Sequence, residues 1–66
     1  MWYKHAAKLQ SGDQVHVRKN YTGWDRAMSA KVLNVYKHTE LHNTMMVDVL
    51  LENGVYIANL THRDLV

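Results

Sequence analysis

Between Val17 and Ala27 the chain interleaves cations with aromatic rings: Arg18, Lys19, Asn20, Tyr21, Trp24 and Arg26. Nucleic acid calls for these two residue types side by side. Lysine and arginine neutralise phosphates, and flat rings stack on bases. Arg18, Lys19 and Arg26 are therefore the candidate phosphate contacts, and Tyr21 and Trp24 the candidate stacking rings. The competing role is structural, with Trp24 packed on the rim of the fold and Tyr21 closing its open end.

Other reactive residues form no set. His38-Thr39-Glu40-Leu41-His42 spaces two histidines four apart, which on a helix would place them on one face and suit a metal ion. The segment lies between strand-like runs, it brings no third ligand, and its order is not the His-Glu-x-x-His of zinc proteases. A solvated loop is expected there, with no metal. The chain has no cysteine, and Ser11 and Ser29 lack the glycine-flanked turn of a serine nucleophile. Three glycines form no phosphate cradle. The expectation is a protein that is not an enzyme and uses no cofactor. Five histidines make binding sensitive to pH near neutrality.

The elements that must position these residues read as strands. Ser11-Gly12-Asp13 is a turn signal, and Val15 and Val17 then alternate with Gln14, His16 and Arg18. Ala27 to Lys37 is the longest strand. Its inward set runs Ala30, Val32 and then changes phase to Leu33, Val35, which predicts a β-bulge or sharp bend. Thr44 to Leu51 places Val47, Val49 and Leu51 on one face. Asn53-Gly54 then predicts a type I′ hairpin turn, which needs positive φ at both central positions. Val55 to Leu60 returns, Thr61 to Asp64 makes a tight turn, and Leu65-Val66 pairs back as a fifth short strand. Residues 1–8 form an N-terminal arm over one end of the fold. Residues 9–66 form the domain.

A chain of 66 residues is one domain. It buries only about 60% of its unfolded surface, so its stability is small. No apolar run approaches the roughly 20 residues needed to span a bilayer, and the first seven residues lack the apolar stretch of a secretory signal. The expectation is a cytoplasmic protein without a membrane partner. Net charge is +2 but uneven. Residues 1–38 hold seven cations against two carboxylates, whereas residues 39–66 hold Arg63 against four carboxylates. Such asymmetry marks a binding face for an anion.

The strand rhythm resembles the Tudor and KOW group of Src-homology-3-like barrels. Gly12-Asp13 fits the opening, Ala30 to Val35 the second strand, Val47 to Gly54 the third strand and hairpin, and Asn59 to Leu65 the closing turn. The resemblance covers residues 9–66 and implies an all-β, five-stranded small barrel. The departures bear on function. Methyl-lysine readers of the Tudor type need a cage of rings, and the cage positions fall on Asn53, near Leu50 and near Lys19. In KOW barrels basic and aromatic loop residues bind RNA or a polymerase. Ala27 or Ala30 stands where the KOW glycine would be. Plasmid-type dihydrofolate reductases share the barrel, but both polar positions of their Val-Gln-Ile-Tyr strand differ in Val55-Tyr56-Ile57-Ala58.

Residues and resemblance together point to a non-catalytic module that meets RNA or DNA, or a nucleic-acid-processing complex, through the first inter-strand loop. The rival is a protein-interaction or assembly module, working through an edge strand or through Trp2 and Tyr3 of the arm, with a protein partner or a homodimer. A phage or mobile-element accessory protein is the setting such a small chain would suit.

Overall fold

The computed structural model describes residues 1–18 and 26–66. Alternating valines make β1 (Gln14–Val17), where Val15 and Val17 are buried and Gln14 and His16 exposed. Then come β2 (Met28–Lys37), β3 (Met45–Leu51) and β4 (Tyr56–Thr61). All four pair antiparallel in sequence order, forming one open sheet. The inner face packs Val15, Val17, Met28, Ala30, Val32, Val47, Val49, Leu51, Leu60 and Leu65 into one core. No aromatic ring belongs to that core among the described residues.

The predicted phase change in β2 is a bulge. Val32 faces Val49 and Asn34 faces Asp48, leaving Leu33 as the extra residue. Val35 thereby turns back toward the core. A second irregularity lies on the other side of β3. Val47 faces Leu60 and Val49 faces Ile57, so Asp48 alone opposes Ala58 and Asn59. Asn59 takes the left-handed conformation, with φ 63°. Two bulges flanking one residue bend the sheet sharply at Asp48.

The turns obey backbone chemistry. Gly12 has φ 98° and the Asp13 N–H returns to the Gln10 carbonyl at 3.0 Å, as a type II turn requires. The Asp13 carboxylate accepts the Gln10 N–H at 2.9 Å and secures that turn. The β3–β4 hairpin departs from the expected type I′ turn. Only Gly54 has positive φ (88°), while the Gly54 N–H bonds to Leu51 and the Leu51 N–H to Val55. The loop is thus Glu52-Asn53-Gly54, a type I turn followed by a left-handed glycine. Asn53 acts through its side chain instead, accepting the Val55 N–H at 3.1 Å.

After β4 a 3-10 turn (His62–Asp64) carries the chain back to the free edge of β1. Thr61 and Asp64 bond reciprocally as a capping box across this turn. Leu65 forms a single bridge with Val17, flanked by the bonds Arg18 N–H to Asp64 at 2.9 Å and Val66 N–H to His16 at 2.8 Å. The expected fifth strand is this one bridge, since only Leu65 of the returning segment takes a ladder position.

The N-terminal arm contains one helical turn, α1 (Tyr3–Ala6). A single turn is not stable alone. Here Ala6 is fully buried, the Tyr3 ring meets the His62 ring edge-on at 5.9 Å, and the terminal ammonium of Met1 donates to the Leu65 carbonyl. No helix is long and apolar enough to cross a membrane among the described residues.

Candidate nucleic-acid interface

Val17 and Met28 are register partners. The connection between them therefore leaves and re-enters the sheet at one end. Its flanking cations, Arg18 and Arg26, are both exposed. Arg18 is anchored: its Nε donates to the Arg63 carbonyl at 2.8 Å, and its backbone N–H donates to the Asp64 carbonyl. Arg26 approaches Glu52 at 3.9 Å, an exposed pair of little energetic weight. The other three candidates, Lys19, Tyr21 and Trp24, lie outside the described residues.

The structure separates the two aromatic residues of the arm. Trp2 is 74% exposed, whereas Tyr3 is half-buried against His62. His62 is itself buried, and its Nδ1 accepts the Met45 N–H at 3.3 Å. Burial, then the charges of Arg63 and the N-terminal ammonium, hold its pKa below the ordinary histidine value, with Asp64 acting in the opposite direction. His38 is a turn residue, accepting the N–H groups of Glu40 and Leu41 at 3.0 Å each. No cluster of residues suited to a metal ion exists among the described residues.

The outer face of the sheet holds what sequence reasoning missed. Gln14 faces Lys31, Lys31 faces Leu50, and Leu50 faces Tyr56, so one row crosses all four strands. All four residues are exposed, Tyr56 by 56%. An open groove of ≈ 310 Å³ covers the Gln14, Lys31 and Leu50 part of this row together with Gly12, Ser29 and Glu52, and Tyr56 is not among its lining residues. The signal was present in the sequence: once the hairpin loop is centred on Asn53, Leu50 and Tyr56 must be opposite each other.

Beside this row lies a polar cluster around Asp48, which is 8% exposed. Its Oδ1 accepts the Asn59 N–H at 2.9 Å and the Tyr36 hydroxyl at 3.2 Å, and its Oδ2 accepts the Asn34 amide at 3.3 Å. The Tyr36 hydroxyl also meets Asn59 Oδ1. Desolvation, then the hydrogen bond to Asp48 and its charge, raise the Tyr36 pKa above the ordinary phenol value. This cluster fixes the bend in the sheet and offers no open coordination site.

No protein-family model matches the chain, and neither a curated protein nor a solved structure is significantly similar to it.

Proposed function

We propose that this chain is a Src-homology-3-like small barrel of the Tudor and KOW type, serving as a non-catalytic module that contacts nucleic acid or a nucleic-acid-processing complex. Support for the barrel comes from the strand order, the 3-10 turn after β4 and the Leu65–Val17 bridge that joins the two ends of the meander. The observation that carries the function is the placement of the β1–β2 connection. Its two described cations, Arg18 and Arg26, flank the paired strand ends Val17 and Met28, and Arg18 is braced on Arg63. Fluorescence anisotropy with labelled RNA and DNA over a range of salt tests it. Lys19→Ala with Arg26→Ala should weaken binding and flatten the log–log salt slope by up to about 0.9 for each phosphate no longer neutralised. No affinity for either nucleic acid at low salt would sink the proposal.

One observation favours the rival, a protein-interaction module: the exposure of Trp2 at the tip of the arm. Edge pairing is less well supported. The C-terminal segment covers the edge of β1, and the left-handed bulge at Asn59 interrupts β4. Trp2→Ala tests the arm without disturbing the buried Ala6. A homodimer that persists unchanged in this variant, measured by light scattering, would exclude Trp2 from the contact.

A further inference from the structure

The outer face of the sheet is built for a more specific ligand than the loop alone defines. β1 presents Gln14 and His16 outward in alternation, and β2 adds Lys31. Three carboxylates are engaged away from this row: Asp13 holds the Gln10 N–H, Asp48 is buried under its three donors, and Asp64 caps the 3-10 turn. Glu52 lines the groove and pairs with Arg26 at 3.9 Å. Lys31 is therefore the cation that the row offers to an anion. Beyond Lys31 the row continues into apolar and aromatic surface, Leu50 at 38% and Tyr56 at 56% exposure.

We propose that the row Gln14–Lys31–Leu50–Tyr56 takes a single-stranded nucleic acid, Tyr56 stacking on a base and Lys31 holding a phosphate next to it. This extends, and rests on, the nucleic-acid role proposed above. Strands stand about 4.8 Å apart, so Lys31 and Tyr56, two strands apart, are separated by about 10 Å at the backbone. A ring that stacks on a base needs a base whose face is free. Duplex bases are stacked on one another, whereas those of single strands splay out. The groove is lined by Lys31 and Leu50 of the row and by Glu52, which approaches Arg26 at 3.9 Å.

The test is anisotropy with fluorescein-labelled oligothymidylate, oligouridylate and a mixed-sequence duplex of equal length. Tyr56→Ala should weaken both single-stranded probes about tenfold or more, and Tyr56→Phe, which keeps the ring, should not. Lys31→Ala should weaken them and reduce the salt slope by about 0.7. The two single-stranded arms distinguish RNA from DNA as the source of the strand. Suppose the native chain binds and Lys19→Ala with Arg26→Ala weakens it, yet Tyr56→Ala and Lys31→Ala change nothing. The outer-face site is then wrong and the loop site stands. An equal loss of duplex binding in Tyr56→Ala would also overturn it. If the native chain binds no probe at low salt, both proposals fall.

Discussion

The Asp48 carboxylate accepts the backbone N–H of Asn59 at 2.9 Å, joining the midpoint of β3 to the bulge of β4. The same carboxylate holds Asn34, the residue after the bulge of β2. One nearly buried side chain thus fixes both irregularities that bend the sheet over its core.

Asp48→Ala removes the acceptor of the Asn59 N–H and of the Asn34 amide, and leaves the Tyr36 hydroxyl with Asn59 Oδ1 alone. Each unsatisfied group costs about 1–3 kcal/mol, against a total of about 3–5 kcal/mol for a domain this small. The variant should lose half or more of its stability, and Asp48→Asn less. Urea midpoints measure this. An unchanged midpoint in Asp48→Ala would show that the bend is held by packing alone.

Asn59 occupies the left-handed region at φ 63°. A side chain without Asn's local hydrogen bonding is strained there by about 1–2 kcal/mol. Asn59→Gly should be more stable than Asn59→Ala by about 1 kcal/mol, although neither can accept the Tyr36 hydroxyl. The two denaturation curves compared directly decide it, and equal midpoints would remove the strain argument.

Bulges show how far the sequence could be read. The one in β2 was legible because Ala30, Val32, Leu33 and Val35 break a two-residue alternation within one strand. Its partner in β4 was not, because Ala58 and Asn59 are both exposed and no inward residue marks the shift. Asp48 alternates as an outward residue, and its burial depends on Tyr36 and Asn59 closing over it across two neighbouring strands. The Leu50–Tyr56 pair follows from the local hairpin, whereas the place of Lys31 beside Leu50 depends on the non-local register of β2 and β3. Arg18, by contrast, was singled out from local composition, although its brace on Arg63 lies far along the chain.

His62 gives the domain an acid sensitivity. Its folded pKa is lowered, so the unfolded chain binds the proton more readily. Stability is complete above the unfolded value of about 6.5 and declines as pH falls through that value toward the folded one. Protonation at Nδ1 would also set a donor against the Met45 N–H. Urea midpoints should fall as pH drops below about 6.5, ahead of the carboxylate range. His62→Gln should flatten that segment of the curve. The same slope in both proteins would place the acid sensitivity in another group.

At the alkaline end the sign reverses. The Tyr36 pKa is raised, so its contribution is complete below about 10, the unfolded phenol value, and is lost as pH rises through the folded value. Absorbance at the phenolate band should show a tyrosine component titrating above the ordinary phenol value in the folded protein. Tyr36→Phe should remove that late component; its persistence would assign it to another ring.

The hairpin after β3 offers a sharper comparison, because two turn types predict different costs at adjacent residues. In a type I′ turn both Asn53 and Gly54 would need positive φ, and alanine at either would be strained alike. Here Gly54 alone is left-handed, and a Cβ added there meets no atom within 4 Å, so the cost is conformational and not steric crowding by neighbours. Gly54→Ala should therefore cost about 1–2 kcal/mol. Asn53→Ala removes only an exposed side-chain bond to the Val55 N–H, worth about 0.5–1 kcal/mol. Denaturant midpoints of the two variants measured side by side check the difference. Equal losses would restore the type I′ turn, shorten the loop by one residue and shift Tyr56 out of register with Leu50, removing the row on which the outer-face site depends.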